Sequence, residues 1–489
     1  MDIFKFFDKE NIYDVMQTLS DINVNKKAAR VWFKLNENTK ISCKTAVGMS
    51  DTAEVGNCIG QGTAGGALVS QMNLDQGLHS YFAGSDDELY YGSTRIQPMA
   101  YQDDVGRPSK SVAEAQSGAV KLYSMLQDKG LEAHPDKTCF IVMGSTQFKK
   151  KVKEDLEVSP IMFGDFKVKQ KECDRYLGQV LHEGGLSRSA EATVEEKTGR
   201  VKGATLEIKS IIEIFQMQAM GGLMAAWELW ERAIIPSLLS GAGTWTGDIR
   251  GAIDLCDKLQ NYFWRLILCV PESCPKIALR SETGQMGMKW RIWQEKVFLL
   301  QRIIGLDENT LAKQVYNEGK ENNWPGLWKE VKDICEEVDI PDVNDFVVSR
   351  ETVRTAIFEH HYVDMMSEMD TKYKKMERVK HEDCREVQSY MHNKSIAVGR
   401  MAFRIRCQMV PDIPANFKNK YKVKGGEHGD KEGLLCKYCD KEELMDQAHC
   451  LECDKWEDLR RDLDLTNIED LVQFFTTMML EKSKIDNGK

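Results

Sequence analysis

Ile96-Gln-Pro-Met-Ala-Tyr-Gln-Asp-Asp-Val105 is a segment in which apolar residues lead into and out of two adjacent carboxylates. Because Asp favours tight turns, this pattern predicts two strands that flank an Asp-Asp corner. Apolar residues at helical spacing then predict a helix over residues 111–126, and residues 138–143 are predicted to form another strand. Strands interspersed with helices indicate an α+β sheet domain.

The rest of the chain has a different character. Long stretches with helical periodicity and few turn signals cover residues 189–214, 220–239 and 286–304, so we expect a mainly α-helical region after about residue 183. The chain has 489 residues, of which 42% are hydrophobic and 29% charged. This composition is typical of a globular protein of several domains.

Composition also bears on location and partners. We find no apolar run near the ~18 residues that a membrane span needs, and no signal-peptide pattern, so we predict an intracellular protein without a membrane partner. Nuclear and cytoplasmic locations fit equally. The 14 cysteines are then expected to be reduced thiols or metal ligands. With a net charge of −10, a nucleic-acid partner would have to meet a local basic face, such as the lysines within residues 149–153, 167–171 and 418–424.

Three carboxylates form the first candidate site. Asp103 and Asp104 repel one another unless a cation lies between them. Asp2 opens an apolar, aromatic run, residues 2–8, which we interpret as a buried strand. Three carboxylates on neighbouring strands would supply the hard oxygen ligands that two Mg²⁺ ions need for in-line phosphoryl transfer.

A glycine-rich segment lies between these acidic segments. Residues 60–65 match G-x-G-x-x-G, which would suit a nucleotide-binding oxidoreductase with a parallel, doubly wound sheet. The apolar run before it is short, however, and polar residues and Gly77 are expected to interrupt the following helix, residues 67–78. We therefore favour a glycine-rich turn that opens a helix beside a bound nucleotide.

A cysteine and histidine pattern near the C-terminus forms the second candidate site. Cys436-x2-Cys439-x9-His449-x3-Cys453 offers four ligands for a closed, tetrahedral Zn²⁺ site, with Cys450 as a competing fourth ligand. A closed site of this kind predicts a structural zinc ion in a small knuckle. We expect that knuckle to dock on nucleic acid with help from nearby lysines.

The order of these segments resembles the reverse transcriptases of non-LTR (LINE-type) retrotransposons. Residues 2–8 resemble motif A, Gln61-Gly62 motif B, and Tyr101-Gln-Asp-Asp104 the Y-x-D-D box of motif C. Gly130-Leu131 with Lys137-Thr138 resembles motif D, and the family's C-terminal Cys-Cys-His-Cys motif favours Cys453 over Cys450. The departures are Gly66-Ala67 for Ser-Pro in motif B, His134 for Asn in motif D, and Gln102 at the variable position of the box.

The resemblance implies an enzyme, an RNA-directed DNA polymerase that adds dNTPs to a DNA primer on an RNA template. It also implies a role for individual residues. Asp2, Asp103 and Asp104 would bind two Mg²⁺ ions, and Lys137 would give a proton to pyrophosphate. Phe7 would stack under the sugar and Gln61 would contact the incoming nucleotide. The primer grip would consist of Tyr176, Leu177 and Gly178.

The resemblance further implies a right-hand polymerase. We expect a palm with an antiparallel sheet, a helical thumb, a helical extension, a basic linker and the zinc knuckle with a final helix, at residues 1–185, 186–270, 271–417, 418–433 and 434–489. Little chain precedes motif A, so we expect a protein truncated there, with most of the fingers missing. The alternative function is a non-catalytic RNA- or DNA-binding remnant of such a polymerase.

Overall fold

The computed structural model describes residues 1–38, 40–54, 59, 65–83, 89–214, 222–372, 385–393, 395–411, 413, 435–439, 441 and 443–487. Three predictions lie outside these described residues: the glycine-rich turn at residues 60–65, of which only Gly65 is described, the nucleotide contact Gln61 within it, and the basic linker at residues 418–433. The fold is mixed α+β, as the sequence predicts.

Helices make up most of the fold. In chain order they are α1 (Phe6–Lys9), α2 (Ile12–Asp21), α3 (Lys26–Asn36), α4 (Gly66–Phe82), α5 (Val112–Asp128), α6 (Thr146–Val158), α7 (Leu186–Ile214), α8 (Gly222–Leu229), α9 (Ile235–Leu238), α10 (Arg250–Leu268), α11 (Lys276–Thr283), α12 (Met288–Ile304), α13 (Leu311–Glu321), α14 (Leu327–Glu337), α15 (Arg350–Lys372), α16 (Ile396–Arg406), α17 (Gln447–Glu452), α18 (Glu457–Arg460) and α19 (Ile468–Asp486). A π-helical turn, Trp230–Ile234, joins α8 to α9.

The strands are short. They are β1 (Lys40–Ile41), β2 (Lys44–Thr45), β3 (Gly48–Met49), β4 (Ala53–Glu54), β5 (Leu89–Tyr91), β6 (Thr94–Ile96), β7 (Met99–Tyr101), β8 (Asp104–Gly106), β9 (Cys139–Phe140), β10 (Met162–Phe163), β11 (Phe166–Lys167), β12 (Lys169–Gln170), β13 (Cys173–Tyr176) and β14 (Gln179–His182). In the described residues they form two-stranded pairs, and β9 with β12 is the one parallel pair. The parallel, doubly wound sheet that an oxidoreductase would need is therefore not found in this part of the chain.

The chain divides into two compact units. The first consists of Met1–Thr193 and Arg302–Lys329, and the second of Val194–Gln301 and Glu330–Lys489. All the strands named above belong to the first unit. The second unit is helical, which confirms the expected change of character after about residue 183.

The first unit is built around α4 and α5. The core contains Leu74 of α4, Met125 of α5, Val105 of β8 and Ile3, all of them at most 2% exposed. The predicted helix over residues 111–126 is confirmed as α5, and the Ser111 hydroxyl caps it by accepting a hydrogen bond from the Glu114 amide.

The predicted interruption of the helix after the glycine-rich segment is wrong, because α4 runs unbroken from Gly66 to Phe82. Asn73 is buried inside α4, where its side-chain amide donates to Glu10 at 2.8 Å. A Cβ at Gly77 would lie 2.6 Å from Cε of Lys129, so glycine lets α4 approach that side chain closely. The residues that look like helix breakers in the sequence therefore serve tertiary packing.

Two predicted strands are shorter than expected. The run at residues 2–8 pairs as a strand only at Asp2 and Ile3, because Lys5 takes a left-handed conformation and helix α1 begins at Phe6. Residues 138–143 form a strand only as β9.

The second unit has a core of large aromatic and aliphatic side chains, including Trp230, Phe263 and Trp264, all fully buried. The predicted helical stretches at 189–214 and 286–304 are confirmed as α7 and α12. In the part of the chain that the structure describes, no helix is both long and apolar enough to cross a bilayer.

Candidate functional site

The first candidate site is built on the hairpin of β7 and β8. Residues of the two strands pair in antiparallel register, with Tyr101 opposite Asp104, and Gln102 and Asp103 form the turn between them. Gln102 has a φ of 54°, a conformation that a tight two-residue turn requires. Val105 anchors the second strand because its side chain is buried in the core. The predicted hairpin is thus confirmed.

Asp2 lies directly opposite Asp104 in an isolated antiparallel bridge. The Ile3 amide donates to the Asp103 carbonyl at 3.0 Å, and the Val105 amide donates to the Met1 carbonyl at 2.9 Å. This pattern makes Asp2 and Asp104 a non-hydrogen-bonded pair, the arrangement in which facing side chains lie closest. Two distant segments of sequence therefore place Asp2 opposite Asp104, which follows Asp103 in the chain.

The carboxylates interact electrostatically. Burial raises the pKa of the Asp104 carboxyl, and the negative charges of Asp103 and Asp2 raise it further. Lys137 offsets part of this repulsion, because its Nζ lies 3.2 Å from Oδ2 of Asp2. In chemical terms these residues suit Mg²⁺, since they offer hard oxygen ligands whose mutual repulsion a divalent cation would relieve. Among the described residues, however, the ligand atoms that lie close enough together to hold one metal ion belong to Cys436, Cys439, His449 and Cys453, and not to these carboxylates.

The other residues that are predicted to contact the nucleotide or the primer lie in different elements. Phe7 belongs to α1, where its ring packs 5.3 Å from that of Phe6 and its carbonyl accepts a hydrogen bond from Ile59. Tyr176 ends β13 beside the hairpin, and a Cβ at Gly106 would lie 3.2 Å from its ring. Burial raises the pKa of Tyr176, and so does the nearby charge of Asp104. Leu177 and Gly178, both at positive φ, form the turn that follows.

Sequence reasoning missed one residue that holds the carboxylate turn. Gln71 of α4 accepts a 2.6 Å hydrogen bond from the Gln102 amide, and its own Nε2 lies 3.5 Å from the Ala100 carbonyl. A glutamine within a helix carries no sequence signal for such a contact.

A second missed group lies on β9 and β13. The Cys139 thiol donates to Asp174 at 2.8 Å, and Lys171 lies 3.1 Å from the same carboxylate. Burial and this carboxylate raise the pKa of Cys139 to about 11, so its thiol stays protonated and unreactive at neutral pH.

The second candidate site lies in the second unit. The ligand atoms of Cys436, Cys439, His449 and Cys453 all lie within 4.8 Å of one another. Cys436 Sγ is 3.9 Å from Cys453 Sγ, and Cys439 Sγ is 3.4 Å from His449 Nε2. Around a tetrahedral zinc ion such atoms would stand roughly 3.5–3.8 Å apart. These residues could hold a metal such as zinc.

Local structure assembles the four ligands. The Asp446 carboxylate caps α17 by accepting from the His449 amide at 2.9 Å, and a bridge between Leu435 and Leu444 brings the two halves of the motif together. The cluster contains Cys453, as the resemblance to the family's Cys-Cys-His-Cys motif implies, and not Cys450. Cys450 is buried, which raises its pKa to about 12.

Searches of this chain against protein-family models and against curated proteins find no match.

Proposed function

We propose that the chain is an RNA-directed DNA polymerase, a reverse transcriptase of the non-LTR retrotransposon type. The observation that supports the proposal most is the bridge between Asp2 and Asp104, which joins two motifs a hundred residues apart beside Asp103. In this proposal residues 1–185 are the palm and the helical region that follows includes the thumb.

The proposed reaction is nucleotidyl transfer. The primer 3′-hydroxyl attacks the α-phosphorus of a dNTP, a P–O bond forms, and the bond to the β-phosphate breaks to release pyrophosphate. Two Mg²⁺ ions held by Asp2, Asp103 and Asp104 would activate the hydroxyl and neutralise charge on the leaving group.

Other residues would bind and move a proton. Lys137 is proposed to give a proton to the departing pyrophosphate, and the position of its exposed ammonium group beside Asp2 supports this role. Phe7 is proposed to stack under the sugar and Gln61 to contact the incoming nucleotide. Tyr176, Leu177 and Gly178 are proposed to hold the primer end, and of these Tyr176 adjoins the carboxylate hairpin. The zinc ion is proposed to be structural.

Primer extension tests the proposal. The full chain is incubated with a DNA primer on an RNA template, dNTPs and Mg²⁺, and compared with the double variant Asp103→Asn/Asp104→Asn. A matched control, Asp75→Asn/Asp165→Asn, removes two exposed carboxylates of the same unit outside the cluster. We expect the wild type and the control to extend the primer and Asp103→Asn/Asp104→Asn not to do so. Lys137→Gln should lower the extension rate about 10²-fold or more.

The alternative, a nucleic-acid-binding protein without turnover, predicts a different result. It predicts no extension by any variant, with salt-sensitive RNA binding retained in all of them. Extension that persists unchanged in Asp103→Asn/Asp104→Asn would show that these carboxylates do not carry the reaction.

A further inference from the structure

We propose that Glu443 is a positioning residue of the Cys436, Cys439, His449 and Cys453 centre, where it orients His449 for metal binding and links the two halves of the ligand set. This inference does not depend on the proposed polymerase activity. It rests on two contacts of Glu443, one through its side chain and one through its main chain.

The side-chain contact fixes the histidine ring. Oε2 of Glu443 lies 2.7 Å from Nδ1 of His449, while Nε2 on the opposite edge of the ring faces Cys439 at 3.4 Å. A carboxylate only accepts hydrogen bonds, so in the neutral imidazole that binds a metal its partner Nδ1 carries the proton and Nε2 offers the lone pair. Glu443 therefore selects the tautomer and the ring orientation in which Nε2 can bind a metal.

The main-chain contact holds the other half of the centre. The Glu443 carbonyl accepts a 2.8 Å hydrogen bond from the amide of Cys436, next to the bridge that pairs Leu435 with Leu444. One residue thus contacts a thiol ligand through its backbone and the imidazole ligand through its side chain. A shift of Glu443 would move both ligands.

The two partners of this contact differ in exposure. His449 is 5% exposed, whereas the side chain of Glu443 is 58% exposed, so the carboxylate reaches from solvent to a buried ring. Without Glu443, Nδ1 would lose the fixed carboxylate acceptor that holds the ring in one tautomer and one orientation. We therefore expect the loss to appear in metal affinity.

Metal titration of the full chain tests the proposal. Three variants are compared with the wild type: Glu443→Ala, Glu443→Gln, and Glu452→Ala as a control. Glu452 is an exposed carboxylate next to Cys453, so its removal changes the local charge equally and leaves the His449 contact intact. Zn²⁺ affinity is measured by competition with a chromogenic chelator, and ligand geometry by the visible absorption of Co²⁺ in the same site.

We expect Glu443→Ala to lower Zn²⁺ affinity about 10- to 100-fold and to alter the Co²⁺ spectrum. Glu443→Gln should retain much of the affinity, because its amide oxygen can still accept from Nδ1, and Glu452→Ala should behave as the wild type. Equal affinities and spectra for Glu443→Ala and Glu452→Ala would overturn the proposal, as would a wild type that binds no Zn²⁺. Circular dichroism at saturating Zn²⁺ separates a positioning defect from misfolding, and Glu443→Gln decides the matter if the alanine variant does not fold.

Discussion

The backbone amide of Gln102 donates a 2.6 Å hydrogen bond to Oε1 of Gln71, which ties the turn between β7 and β8 to helix α4. The turn carries Asp103, and Asp104 follows it. Because Gln102 adopts a positive φ that a side chain disfavours, the turn depends on a contact that holds its amide in place. The position of the carboxylates is therefore set in part by a residue on a neighbouring helix.

We predict that Gln71→Ala loosens this turn. Loss of the hydrogen bond should cost about 1 kcal/mol of stability and speed amide exchange over residues 99–106. The matched control is Gln127→Ala on α5, where the glutamine is exposed. Hydrogen exchange read by mass spectrometry makes the comparison, and equal exchange in the two variants would show that Gln71 does not hold the turn.

We predict that Mg²⁺ stabilises the wild type and that Asp104→Asn abolishes most of this effect. The raised pKa of Asp104 reports burial together with repulsion from Asp103 and Asp2. Removal of one charge should relieve about 1 kcal/mol of repulsion in the metal-free protein. Thermal unfolding with and without Mg²⁺ measures both effects.

The control for this prediction is Asp75→Asn, which removes an exposed carboxylate on α4. It should keep the full Mg²⁺ stabilisation. If Mg²⁺ does not change the melting temperature of the wild type, this result would count against a cation site at these carboxylates.

Local signals account for what the sequence could predict. The hairpin at Asp103-Asp104, the helix α5 after Ser111, and the four metal ligands are each encoded by residues close together in the chain. Contacts between distant segments could not be read in this way. Gly77 looks like a helix breaker until its close approach to Lys129 is known, and the strand at Asp2 ends early because helix α1 begins at Phe6.

The same limit applies to the site residues. The sequence has three acidic residues close together here, Asp440, Glu442 and Glu443, and nothing in it singles out one of them as a partner of His449. Only the fold shows that Glu443 reaches Nδ1 of His449. Gln71 is likewise an ordinary helical glutamine until the hairpin is placed beside it.

We predict that Glu10→Gln stabilises the protein at neutral pH and not in acid. Burial raises the pKa of Glu10, which accepts a 2.8 Å hydrogen bond from Asn73. A carboxyl whose pKa is raised on folding loses stability as the pH rises from its unfolded pKa of about 4.3 through its folded value. The amide of Gln avoids this loss and can still accept from Asn73.

The gain should be of order 1 kcal/mol at neutral pH and should vanish below about pH 4. Urea unfolding across this pH range measures it, with the exposed Asp8→Asn on α1 as the control. A gain that is the same at every pH would show that ionisation of Glu10 is not its cause.

We predict that Glu282→Ala strongly destabilises the second unit. Arg406 donates to both oxygens of Glu282 at 2.6 and 3.0 Å, and the Tyr390 hydroxyl donates to Oε2 at 2.6 Å. Glu282 is fully buried, so its removal leaves a buried guanidinium without its counter-ion and should cost about 3–5 kcal/mol. Tyr390→Phe removes one hydrogen bond and should cost about 1 kcal/mol.

Asp248→Ala is the control for Glu282→Ala, because it breaks an exposed ion pair, with Arg250, in the same unit. It should change the free energy of unfolding far less than Glu282→Ala does, because solvent screens an exposed pair. Similar losses for Asp248→Ala and Glu282→Ala would contradict the prediction that a buried Arg406 without its counter-ion is costly.

We predict that removal of the metal loosens the packing of helix α19 and of the end of α16 against the metal-binding segment. Gln447 of α17 fastens the metal segment to the end of α16, donating to the Ile405 carbonyl at 2.9 Å and accepting from the Val410 amide at 3.3 Å. At the other side, Lys437 and Tyr438 both bind Asp486 near the end of α19, at 2.8 and 2.7 Å. The ligand cluster is thus built into helices of the second unit.

Hydrogen exchange before and after treatment with a strong chelator tests this prediction. Amides of α19 and of residues 402–410 should exchange faster without metal, because loss of ligand bonds removes folding free energy from the segment that joins them. Helix α5 of the first unit serves as the internal control and should keep its protection. If α19 stays protected while the metal is gone, the metal folds only its own loop, and the segment behaves as the separate knuckle that the sequence predicts.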